Sequence, residues 1–245
     1  MRKLTVVLLL SGLALAAPVV TKVKLLRDNG GQPGAEVQYF KPGDHKIHFL
    51  VQFDKLTVGQ TKVHLVFTGV DTSAGQNLEV KQLDMEALVA NEVAASVSLP
   101  RDWPHGTYRA DLSVNGQKLK SIPYVISPSA DELKSTGSAL FRDDGKGGEG
   151  AKVSKFSPKD RNLHFEMGLN GYLMGKAIVR WSYVALKTTA GNNREITAKD
   201  TDLSNFKGNT LTGNCELPRD WPKGTYEARV AINGRAVGKI PFTVE

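Results

Sequence analysis

"LPRDWPHGTYRADLSVNG" (99–116) and "LPRDWPKGTYEARVAING" (217–234) are one phrase written twice in a chain of 245 residues. Each copy ends on Asn-Gly, the strongest short-range hairpin signal, because a type I′ turn needs positive φ at both central residues. Ahead of that turn Tyr108, Ala110, Leu112 and Val114 alternate with Arg109, Asp111 and Ser113. This is the period of a strand with one buried face. Pro104 and Gly106 suit a turn before the strand, which leaves Trp103 to plug the end of a core. The phrase is therefore read as a structural staple. The rival reading makes it an exposed tip used twice, with Arg101, Asp102 and Trp103, and their counterparts Arg219, Asp220 and Trp221, as candidate contact residues.

The duplication extends outward from the phrase. Gly34, Phe40, Pro42, Asp44 and His48 recur 116 positions later as Gly150, Phe156, Pro158, Asp160 and His164. Arg27-Asp28 and Arg142-Asp143 extend the match towards the start of each copy. Two residues enter the second copy after that, so the phrase itself recurs at an offset of 118. A repeat of this length is a domain rather than a solenoid unit. The layout predicted is a signal peptide over 1–16, a first domain over 18–126, a linker over 127–138 and a second domain over 139–245. The linker is polar, with room for one helical turn over Ala130–Lys134.

Within the first copy "KIHFLVQF" (46–53) and "KVHLVF" (62–67) alternate like the strand above. Short alternating runs between Gly, Pro, Asn and Asp signals predict an all-β chain of two tandem antiparallel β-sandwiches. "LDMEALVANEVAAS" (83–96) has helical composition, but its counterpart over 199–214 does not, so it is read as a loop entering a strand near Val93.

The stretch Trp-Pro-x-Gly-Thr-Tyr, the alternating strand, Asn-Gly and a closing "IPYVI" (122–126) or "IPFTV" (240–244) resemble bacterial Ig-like or fibronectin-III-like domains. The resemblance covers both copies and implies the sandwich fold. It also implies a tyrosine corner, with the Tyr108 hydroxyl folded back onto the preceding turn. It does not imply a function, since this fold hosts many. The chain departs from the immunoglobulin pattern: no intersheet cysteine pair exists, and Leu65 stands where the second copy has Trp181.

The first residues, MRKLTVVLLLSGLALAAP, place Arg2 and Lys3 before an apolar run and close on small residues, which predicts a secretory leader cleaved before Ala17. A secreted or periplasmic protein with no membrane span after cleavage is expected. Loss of Arg2 and Lys3 lowers the formal charge by two, from +7 to +5. That balance suits an anionic envelope polymer as partner, although the plainer reading, lysines that solvate strand faces and guard edges, is preferred. Arginines interleaved with aromatics are not apparent, so nucleic acid is not expected. The single cysteine, Cys215, forms no intrachain disulfide. It falls where the first copy has Val97 and is read as a small buried hydrophobe.

No catalytic constellation is legible. His45 and His48 point to opposite faces of a strand, and His45, His64 and His105 become Arg161, Arg180 and Lys223 in the second copy. His48 and His164 lie opposite the apolar face of their strands and are expected at the surface. "RDDGKGGEG" (142–150) groups Asp143, Asp144 and Glu149, but lacks the ligand order of a calcium loop and is read as a plain glycine-rich loop. No metal, cofactor or catalytic residue is predicted. The function expected is a non-catalytic binding or interaction module of the bacterial cell envelope, with an unknown protein or anionic polymer as partner. The alternative is a periplasmic two-domain Ig-like chaperone, disfavoured because Pro123 interrupts the last strand of the first copy. An accessory carbohydrate-active enzyme ranks third.

Overall fold

The computed structural model describes residues 17–174, 176–203 and 208–245. The leader read over residues 1–16 lies outside them. The first half of the chain forms β1 (Val20–Asn29), β2 (Gln32–Glu36), β3 (Lys46–Phe53), β4 (Lys62–Thr72), β5 (Gly75–Glu86), β6 (Glu92–Ser98), β7 (Gly106–Val114) and β8 (Gln117–Ile126). These make two sheets, ordered β2-β1-β3-β6 and β5-β4-β7-β8, with antiparallel neighbours throughout.

The second half repeats the plan with β9 (Ser135–Asp143), β10 (Glu149–Lys152), β11 (Lys155–Phe156), β12 (Asn162–Leu169), β13 (Ile178–Thr188), β14 (Gly191–Asp202), β15 (Thr210–Glu216), β16 (Gly224–Ile232) and β17 (Arg235–Val244). Its sheets are ordered β10-β9-β12-β15 and β11-β17-β16-β13-β14. The short β11 runs parallel to β17, where the first half has only a parallel bridge from Phe40 to Ile126. The chain is thus all-β, built of antiparallel sheets.

Alternation places the cores. Ile47, Phe49, Val51 and Phe53 are all buried and lie between the two sheets of the first half, where the Phe49 ring meets Phe67 of the facing sheet at 5.1 Å. In the second half Phe165 meets Trp181 at 5.6 Å, so the tryptophan without a first-copy counterpart is core. The two apolar clusters share no residue. Cys215 is buried opposite Leu163, as its match to Val97 implied. Both Asn-Gly hairpins adopt the predicted turn, with φ of 47° and 80° at Asn115-Gly116 and 49° and 81° at Asn233-Gly234.

Three expectations are corrected. The loop assigned to 83–96 is mostly strand: β5 continues to Glu86 and β6 opens at Glu92, next to the expected Val93. Burial of one face is enough to hold a segment of helical composition in a sheet. The stretch 127–138 is not a free linker, since β9 begins inside it at Ser135. A single 3₁₀ turn, Ala130–Glu132, forms where a helical turn had room, and Leu133 beyond it is fully buried in the second core. Arg235 Nη2 donates to the Ala130 and Leu133 carbonyls, and Lys134 N to Asn170 Oδ1 at 2.7 Å. Ser127 Oγ donates to the Tyr172 carbonyl at 2.8 Å.

The third correction concerns the histidines. His48 and His164 are 6% and 7% exposed rather than at the surface. Each lies against the carboxylate of the repeated Arg-Asp pair: His48 Nε2 is 2.6 Å from Asp28 Oδ1, and His164 Nε2 is 2.9 Å from Asp143 Oδ2. Asp28 is next to last in β1 and Asp143 ends β9, each two residues along the neighbouring strand from the residue paired with the histidine, so the polar position is satisfied by a side chain instead of water.

Candidate functional site

The repeated phrase builds a cleft, and builds it twice. Leu99 N and Trp103 N donate to the His45 and Pro42 carbonyls, and Leu217 N and Trp221 N repeat this with Arg161 and Pro158. The Tyr108 hydroxyl donates to the Pro104 carbonyl at 2.6 Å, and Tyr226 closes the same corner on Pro222. Gly106 and Gly224 sit at φ of 150° and 148°, and an added Cβ would meet the Asp71 or Lys187 carbonyl oxygen at 2.2 or 2.1 Å. Only glycine fits so close an approach of two strands.

Opposite this loop, each edge strand carries a β-bulge at the same place. β5 inserts Val80 where β4 passes from Phe67 to Thr68, and β14 inserts Ile196 where β13 passes from Tyr183 to Val184. Between bulge and loop lies a cleft of ≈ 210 Å³ in the first half, walled by Val80 and Leu99 above Trp103 and Tyr108. Its counterpart in the second half is ≈ 350 Å³, walled by Ile196, Leu217 and Pro222.

The structure divides the candidate contact residues. Trp103 and Trp221 are 2% and 1% exposed and belong to the cores. Asp102 and Asp220 are exposed but engaged within their own half, Asp102 with His45 Nε2 at 2.8 Å and Asp220 in an ion pair with Arg161 at 2.7 Å. Arg101 and Arg219 are exposed and line the clefts. Sequence reading missed the bulge residues and Arg194, which lines the second cleft where the first has Leu78. Bulges leave no mark in a single sequence. The exchange of Leu78 for Arg194, 116 positions apart, was visible in the repeat.

The second cleft therefore joins apolar walls to two guanidinium groups, neither of them ion-paired among the described residues. Such a cleft suits an anionic group carried on a body with apolar faces. A larger groove of ≈ 590 Å³ crosses β13, β16 and β17 over Glu227. Lys239 and then Arg229 hold the Glu227 carboxyl below its ordinary range, each at 3.0 Å, and Arg180 is bound by Glu195 and Asp200. Its cations are thus already engaged. In the glycine-rich loop Asp143 accepts from Gly145 N and Asn162 Nδ2, and Asp144 from Lys146 N and Gly148 N. Among the described residues no group of three or more His, Cys, Asp or Glu is placed to hold a metal ion. No helix among them is long and apolar enough to cross a membrane.

No protein-family model matches the chain, and comparison with curated proteins finds no match. Solved structures give distant likenesses. One is an alpha-2-macroglobulin from Salmonella, at 12% identity and a TM-score of 0.34, covering 91% of this chain and 16% of that one. Another is the Yersinia pseudotuberculosis adhesin InvE, at 10% identity and 0.34, covering 85% of this chain and 56% of that one. A third is the C-terminal domain of the Streptococcus pyogenes antigen I/II-family protein AspA, at 11% and 0.28, covering 92% and 98%. This chain thus spans about a sixth of the macroglobulin and just over half of InvE.

Proposed function

We propose that the protein is a secreted or periplasmic, non-catalytic binding module of the bacterial cell envelope, made of two Ig-like domains, the first over residues 18–126 and the second entered through Leu133 and β9 rather than at 139. Its ligand is an anionic envelope polymer, received in the clefts beside the repeated phrase. The observation that carries this reading is the second cleft, where Arg194 and Arg219 line one apolar slot without carboxylate partners among the described residues. Exposed guanidinium groups draw an anion over a range set by salt, and the apolar walls add contact area once it is seated. The first cleft, with Arg101 and Leu78, offers a second and less cationic contact to the same polymer. Two weak contacts on one chain raise avidity without strengthening either.

The test is cosedimentation of residues 17–245 with purified bacterial cell wall at low and high salt. Pelleting at low salt that is lost at high salt is expected, and Arg194→Glu with Arg219→Glu should abolish it while leaving the melting temperature unchanged. Pelleting that survives both substitutions would reject the cleft, and its absence at low salt would reject the polymer.

A further inference from the structure

Eight strands stand at sheet edges among the described residues: β2, β5, β6 and β8 in the first half and β10, β11, β14 and β15 in the second. An edge strand offers unpaired N–H and C=O groups to any passing chain, and folds blunt it with bulges, proline, lysine or shortness. Six of these edges are blunted. β2 carries Pro33 and an irregular register, and β8 carries Pro123 and a bulge. β5, β10 and β14 are interrupted by register shifts, and β11 has two residues.

The two unguarded edges, β6 and β15, occupy the same place in the repeat. β6, "EVAASVS", pairs residue for residue with β3 from Glu92 to Ser98 without a shift, and contains no Lys, Arg or Pro. Beyond Glu92, whose carboxylate accepts from Gln52 Nε2, its outward side chains are small, with Ala94 and Ser98 exposed. The loop leading into it exposes Leu88 and Val89 by 83% and 50%, side by side in the chain. β15 has Gly213 at its centre, which weakens a strand as a pairing template.

We propose that β6 is the self-association edge of this chain, where a second copy pairs antiparallel about a two-fold axis and joins two β2-β1-β3-β6 sheets into one. The strand is complementary to itself. Antiparallel pairing brings the Glu92 end of one strand to the Ser98 end of the other, so its one charge does not meet its own copy. Val93 comes to the Val97 end on the core side, while on the outer face Ala94 meets Ser96 and Glu92 meets Ser98. The exposed Leu88–Val89 loop of each chain then flanks the new ladder, next to the segment that follows Ser98 in the other. Such an interface is isologous and closes at a dimer, and its main-chain ladder supplies the pairing.

Sedimentation equilibrium of residues 17–245 tests it. A reversible monomer–dimer equilibrium is expected. Ala94→Lys should abolish the dimer, and so should Leu88→Asp with Val89→Asp, both with an unchanged melting temperature and circular dichroism spectrum. Thr212→Lys on β15 should leave the dimer intact. A monomer up to the solubility limit would overturn the proposal. A dimer that ignores the β6 and loop variants, or is lost with Thr212→Lys alone, would overturn it equally.

Discussion

Trp103 is a plug held by packing. Its ring stands edge-on to Tyr108 at 5.8 Å, as Trp221 does to Tyr226 at 5.2 Å, and neither indole Nε1–H finds an acceptor among the described residues. An unpaired buried donor costs stability, so the contact area of the ring must outweigh it. Trp103→Ala should therefore lower unfolding free energy by about 3–5 kcal/mol in urea titration. A residue whose role was contact alone would lose binding and keep the midpoint. The same scale explains Cys215: burial pushes its thiol up to about 12, which leaves it a packing residue rather than a nucleophile.

Among the elements, the connection between the halves behaves least as its composition implies. Ser127–Lys134 is polar except for a few positions, yet Leu133 is fully buried and Arg235 grips two of its carbonyls. Ser127 N also donates to the Phe40 carbonyl at 2.9 Å, so the segment is tied at both ends. Leu133→Ala should destabilise the second half by about 2–5 kcal/mol and leave the first unchanged, read by hydrogen exchange of Phe165 and Phe49 amides. One leucine in a polar run carries no periodicity, which is why sequence did not reveal this contact. The strands were legible because alternation and Asn-Gly are local signals. The clefts were legible only in part: the phrase named Arg101 and Arg219, while Val80 and Ile196 join them through bulges fixed by strand pairing. His48 and His164 were misplaced because alternation tells which face a residue takes, not what covers that face.

At the scale of the whole molecule, one polar device is built into each half. Hydrogen bonds from His48, then from Gly31 N, hold the Asp28 carboxyl below its ordinary value, and His164 does the same for Asp143 with Gly145 and Gly147. A carboxyl with a lowered folded pKa contributes stability above its unfolded value of about 3.9, lost as pH falls through the folded value. His48→Gln with His164→Gln should thus open a gap in melting temperature from the parent chain at about pH 6. Acidification through the lowered folded values of Asp28 and Asp143 should narrow that gap in both halves, since the carboxylates then become protonated with or without the histidines. The two Asn-Gly turns set a different limit, that of chemical lifetime. Such a peptide ages when the glycine nitrogen closes on the side-chain carbonyl carbon, expels ammonia and leaves a ring that opens to aspartate or isoaspartate. In the folded chain Asn115 Oδ1 is held by Lys62 N and Asn233 Oδ1 by Ile178 N, each at 2.9 Å, so the ring closes only when the hairpin end comes loose. Deamidation at these two asparagines is therefore a clock that counts the openings of each hairpin over the life of the protein.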